Sequence, residues 1–82
     1  LAVAPSAERA LARLPEKVAT AIVEFLVGPL LDEPQKIGRP LRGELDGLWV
    51  ARRGAYRIVF ELDDPKRTVQ VLRIDHRADV YR

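Results

Sequence analysis

The sequence predicts an α+β domain of order β-α-α-β-β-β, an antiparallel sheet with an αα-hairpin packed on one face. Three observations predict it. Apolar residues recur at helical spacing only in the first third of the chain, they alternate with polar ones from Leu48 onward, and Pro, Gly and acidic residues punctuate the joins. The chain has 82 residues, enough for one core and one domain spanning residues 1–82. Two amphipathic helices must then cover one apolar face of the sheet and leave the other to water or a ligand.

Leu1 to Ala4 is a short apolar run closed by Pro5, which suits a first strand. The chain opens without Met, and LAVAP reads as a strand entered part-way, so a few preceding residues are expected. Ser6 is a favoured N-cap and Glu8 falls in the first turn, where the helix dipole favours an anion. Ala7, Ala10, Leu11 and Leu14 then mark one helix face. Pro15 ends that helix and suits the first position of a second, in which Val18, Ala21, Ile22, Phe25 and Leu26 form an apolar stripe. Gly28-Pro29 breaks or kinks it, with Leu30 and Leu31 able to continue for a turn before Asp32-Glu33-Pro34. Pro34 to Gly47 reads as a loop with one short extended or helical turn near Leu41 to Leu45, carrying Lys36, Arg39 and Arg42 outward.

Leu48 to Asp63 reads as a β-hairpin turning at Gly54-Ala55. That turn sets Arg53 against Tyr56, Arg52 against Arg57, Ala51 against Ile58, Val50 against Val59 and Trp49 against Phe60. One face then carries Trp49, Ala51, Tyr56, Ile58, Phe60 and Leu62, with Arg53 near the turn, where its long stem reaches water. The other face carries Arg52 opposite Arg57. Like charges directly opposite each other destabilise a sheet, and a bound anion would remove that cost. The alternative is a solvated face on which Glu61 and nearby carboxylates balance the arginines. After a turn at Asp63-Asp64-Pro65-Lys66, Thr68 to Asp75 forms the last strand of a three-stranded meander.

Composition narrows the function. There is no cysteine, hence no disulfide framework or thiolate metal site, which fits a reducing cytoplasm. A single histidine excludes a multi-histidine metal cluster, and no apolar stretch approaches a bilayer span. Neither metal nor cofactor is expected. Net charge is only +2, but the arginines concentrate in the second half, which suits a polyanion or an acidic partner. An anion site on the open face would draw on Arg52, Arg57 and Arg77, with Arg73 depending on the register of the last strand. Guanidinium groups donate paired hydrogen bonds and stay charged. Beside them His76 and Tyr81 are groups able to move protons. Metal-free RNA cleavage needs a base for the 2′-hydroxyl proton, cations for the phosphorane and an acid for the leaving oxygen.

The residues PLRGELDGLWVARRGAYRIVFELDD and VLRIDHRADVYR resemble the RelE/ParE superfamily of toxins of bacterial toxin-antitoxin systems, and SAERALARLPEKVATAIVEFLVGPLLDEP fits its αα-hairpin. The resemblance implies a microbial-ribonuclease type of fold. For the RelE branch it implies an mRNA endonuclease acting in the ribosomal A site, without metal or cofactor, and held inactive by a cognate RelB-like antitoxin. Operator DNA is a partner only of the toxin-antitoxin complex, no membrane is involved, and the location is cytoplasmic. Matched position by position, the resemblance makes Arg57, Arg77 and Tyr81 catalytic, with His76 standing near a place where some members use histidine as an acid or base. Arg52 fills one of the family's two basic positions on the preceding strand, and Val50 occupies the other. Arg53, Arg42 and Arg73 complete the expected substrate-binding set. Two alternatives belong to other classes: a ParE-like inhibitor of DNA gyrase, and an inactive module that binds antitoxin and regulates an operator.

Overall fold

The structure is a computed structural model and describes residues 1–78. A five-stranded sheet in the order β1-β5-β4-β3-β2 is built from β1 (Ala2–Val3), β2 (Arg39–Pro40), β3 (Leu48–Arg53), β4 (Tyr56–Asp63) and β5 (Thr68–His76). The antiparallel meander β3-β4-β5 forms its centre, β2 extends it beside β3, and β1 runs parallel to β5 at the other edge. Two helices, α1 (Pro5–Ala12) and α2 (Glu16–Phe25), pack on one face.

The hairpin pairs as its alternation requires, from Leu48 against Glu61 to Arg53 against Tyr56. Gly54 has φ +60° and Ala55 lies outside the positive-φ region, so the turn is of the type with glycine at its first central position, whose twist matches that of the strands. Ala51, Ile58 and Phe60 are buried beneath Ala7 of α1 and Ile22 and Phe25 of α2, with Leu26 and Leu30 beyond; Val69, Val71 and Ile74 of β5 complete the core. Trp49 lies across from Phe60, ring centroids 6.3 Å apart, and closes the core toward β2.

Local details differ from the sequence expectations for identifiable reasons. Ala4, not Ser6, is the N-cap of α1, and Pro5 takes the first helical position, where its missing N–H costs nothing. Ser6 instead donates its hydroxyl to the carbonyl of Leu72 at 3.2 Å. Pro15 caps α2 from outside the helix. Gly28-Pro29 does not end that helix. The wider π turn Leu26–Leu30 absorbs Pro29, which has no N–H to give and whose ring would strike the carbonyl four residues back. The stretch expected to be a loop holds a short helix α3 (Pro34–Ile37), the edge strand β2 and a 3-10 turn at Gly43–Leu45. Gly38 joins α3 to β2 where the backbone crosses the ring of Phe60, so close that a Cβ there would lie 2.6 Å from its Cζ.

One irregularity governs the site. β4 and β5 pair Val59 with Arg73 but Phe60 with Val71, so Leu72 is an extra residue in β5. Its carbonyl is the one that Ser6 satisfies. This β-bulge resets the alternation. Val69 and Val71 face the core, and after the bulge Ile74 does so, leaving Arg73 and Asp75 on the open face and returning His76 to the helix side.

Candidate functional site on the open face

Arg57 sits in the centre of the uncovered face, directly between Arg52 on β3 and Asp75 on β5. Both neighbours matter. Arg52 imposes the like-charge contact that the hairpin register requires, and Asp75 brings a carboxylate up on the other side. Asp75 is also bridged by Arg73, Nη2 to Oδ2 3.0 Å, so the bulge has made a cation-anion-cation row across the last two strands. Arg73 therefore belongs to this face, but its charge is engaged by its own strand. Glu61 also faces this side, across from Leu48 and away from the arginines.

A shallow hollow of about 190 Å³ lies where the open face meets the end of α3. Arg39, Arg52 and Arg57 line it above an apolar floor of Ile37, Val50 and Ala51. Arg39 was legible in the sequence only as a loop cation. The edge strand β2 places it directly across from Val50, the strand position at which the family's second basic residue is missing here. Its signal lay in the Gly38-Arg39-Pro40 stretch, which reads as loop because proline removes a ladder donor, although an edge strand tolerates that. Three guanidinium groups around an open, partly apolar depression can hold phosphate oxygens while a base or sugar rests on the floor.

Other expected residues fall elsewhere. Arg53 shares the helix side with Tyr56 and lines a separate depression with Lys17 and Ala21 of α2. Arg42 lies in extended backbone beyond β2, just before the 3-10 turn, and is not among the residues lining the hollow. His76 pairs with Tyr56 and stands edge-on to its ring, centroids 5.2 Å apart, on the face opposite to Arg57. The expectation that His76 stands beside the arginines is therefore corrected, and the cause is the Leu72 bulge. Arg77 follows β5, with its backbone N–H donating to the carbonyl of Ala55 at 2.8 Å, which keeps it beside the hairpin turn. Tyr81 lies outside the described residues. Among those residues no cluster of three metal-ligating side chains occurs, and no helix is long and apolar enough to cross a membrane.

Known proteins share this architecture. The family model for the ParE toxin of type II toxin-antitoxin systems matches residues 1–81. Toxin RelG of Mycobacterium tuberculosis is 51% identical over 77 residues, covering 94% of this chain and 88% of the relative. Toxin RelE of the same organism is 49% identical over 82 residues, covering 100% of this chain and 84% of its own length. The crystal structure of the toxin-antitoxin complex RelBE2 from Mycobacterium tuberculosis contains a chain that superposes with a TM-score of 0.87 at 46% identity, covering 90% of this chain and 91% of that one. With a family model spanning nearly all of its length and relatives of about half identity over most of it, the chain belongs to the RelE/ParE family of type II toxin-antitoxin toxins, among its RelE members.

Proposed function

We propose that this toxin is a ribosome-dependent mRNA endonuclease that cleaves without a metal, using the RNA 2′-hydroxyl as nucleophile. The observation that carries the reading is the hollow on the uncovered face, where Arg39, Arg52 and Arg57 converge. In the reaction the 2′-oxygen attacks phosphorus and its proton passes to a base. The bond to the 5′-oxygen breaks, that oxygen takes a proton from an acid, and a 2′,3′-cyclic phosphate remains. Arg57, at the centre, is aimed at the phosphorane, where charge exceeds that of the ground state. Arg52 and Arg39 hold flanking phosphates. Arg77 and Tyr81 keep the catalytic parts that the family resemblance implies for them, with Tyr81 supplying proton transfer or a stacking platform for a base.

The cognate partner is a RelB-like antitoxin. A type II toxin that cuts message arrests its own host unless masked, and RelBE2 is a complex of toxin with antitoxin. Two surfaces of this chain suit such a partner. The basic hollow fits acidic side chains, and Val23 and Val27, exposed one turn apart on α2 and its continuation, fit apolar ones. The family model that matches is described by its ParE members, so inhibition of DNA gyrase is the competing reading.

Induction of the toxin followed by primer extension on a translated message tests the proposal. Cuts at codon-spaced positions are expected. Intact message with arrested replication would move the assignment to gyrase, and absence of toxicity would leave a protein-binding module.

A further inference from the structure

The chain leaves the sheet through three fixed contacts. Arg77 donates its N–H to the carbonyl of Ala55 in the hairpin turn. Ala78 donates its N–H to Nδ1 of His76 at 3.1 Å. The imidazole meets the Tyr56 ring edge-on, planes at 85°, and Tyr56 in turn packs against the core. A ring nitrogen that accepts an N–H must be unprotonated, which places the proton of the neutral ring on Nε2.

We infer that His76 is a positioning residue, whose Nδ1 holds the N–H of Ala78 and thereby sets the direction in which the chain continues toward Tyr81. The inference rests on the endonuclease reading for its consequence, since there the residues after Ala78 contribute to cleavage. The geometry excludes the simpler role. His76 shares the helix side with Tyr56, in a depression of about 270 Å³ lined also by Arg13 and Leu14, whereas the phosphate-binding arginines occupy the other side of the same sheet. An imidazole there acts on the reaction through the backbone it holds. Histidine serves because one ring offers both an edge to the tyrosine and an acceptor two residues before the N–H it takes.

Asparagine separates holding from proton transfer. Its Oδ1 accepts the N–H two residues on, as in an Asx turn, but it has no proton to exchange near neutral pH. His76→Asn should keep cleavage within about threefold of wild type, whereas His76→Ala and His76→Phe, which lack the acceptor, should lose about ten- to a hundredfold through misplacement of the following chain. Amide exchange at Ala78 should be slow in wild type and His76→Asn and fast in the other two. Loss of cleavage in His76→Asn as complete as in His76→Ala would overturn the inference in favour of acid-base chemistry, and equal cleavage in all four would overturn it outright. If His76→Ala and His76→Phe fail to fold, His76→Asn still decides. If the wild type cuts no message, the endonuclease reading fails by itself; uniform exchange at Ala78 across the folded proteins would then overturn the anchor separately.

Discussion

Strands β4 and β5 lie side by side and feed the same core, yet they tolerate change differently. β4 alternates without interruption, Ile58 and Phe60 inward and Arg57, Val59 and Glu61 outward, with both neighbours fixing its register. β5 carries Val69 and Val71 inward, then spends Leu72 on a bulge before Ile74 turns inward. A strand with strict period 2 cannot change its count without exchanging its faces, whereas a bulged strand already holds a spare residue. The functional face is built on both strands. Its central cation comes from the unbroken one, and its flanking ion pair comes from the interrupted one.

Deleting one residue from each strand gives the sharpest test, and the largest effect. Deletion of Val59 would turn Phe60 and Leu62 to the open face and Glu61 into the core, removing more than the roughly 5–15 kcal/mol by which a small domain is stable. No cooperative unfolding transition is expected. Deletion of Leu72 removes the spare residue and leaves Arg73, Ile74, Asp75 and His76 on their present faces, at about 1–2 kcal/mol for the lost packing and the lost Ser6 contact. Urea unfolding reads both, and a retained contact between the His76 and Tyr56 rings in the folded Leu72 deletion would show that β5 tolerates a change in count that β4 does not.

The same contrast explains what could be read in advance. The hairpin register, its turn and its buried set followed from alternation around Gly54-Ala55, because nothing in that stretch competes with period 2. The face of Arg73 and the separation of His76 from Arg57 did not follow. The signal was present in the spacing of Val69, Val71 and Ile74, which breaks phase between the second and third, but a phase break can equally mark a strand end. β2 was hidden for another reason: two residues containing a proline carry no periodicity. Ser6 read as a cap because its side chain competes well for backbone donors, and the carbonyl it serves belongs to a bulge 66 residues away.

The second effect concerns the unbroken strand's chemistry. Arg57→Ala should lower cleavage by about 10²- to 10³-fold, corresponding to about 2.7–4 kcal/mol of barrier, with much less effect on ribosome binding. Arg73→Ala, on the interrupted strand and already bridged to Asp75, should cost under about tenfold. Single-turnover cleavage of a programmed ribosome measures the pair. An equal loss in both would place the reacting phosphate over β5 rather than over the centre of the sheet.

Gly38→Ala probes how tightly the unbroken strand is enclosed. Its Cβ would meet Cζ and Cε1 of Phe60 at 2.6 and 2.9 Å and the Pro34 carbonyl at 3.0 Å. Phe60 is fully buried in the centre of β4, so its ring cannot swing away. Overpacking of this kind costs about 1–3 kcal/mol. The midpoint of urea unfolding should fall accordingly with an unchanged slope, whereas an unaffected midpoint would mean that the joint between α3 and β2 gives way instead of the core.

The smallest effect is the one that connects stability to function. Arg52 and Arg57 face each other directly, and like charges in that position oppose the sheet by some tenths of a kcal/mol. Asp75 relieves Arg57 from the other side, so only part of the repulsion remains. Arg52→Thr removes the repulsion and places a good strand former at an exposed strand position. It should therefore raise stability by about 0.2–1 kcal/mol while weakening substrate binding, the trade expected when a charge is kept for a ligand rather than for the fold. Salt distinguishes this cause from strand propensity. Screening shortens from about 10 Å at 0.1 M to about 3 Å at 1 M salt, so the electrostatic share of the gain should shrink while the propensity share persists. Urea midpoints of wild type and variant at the two salt concentrations make the measurement. A gain that is indifferent to salt would mean that the two guanidiniums splay apart without cost, and a loss of stability would mean that Arg52 supports the sheet by packing its stem along Val50 and Ile37 at the hollow they share.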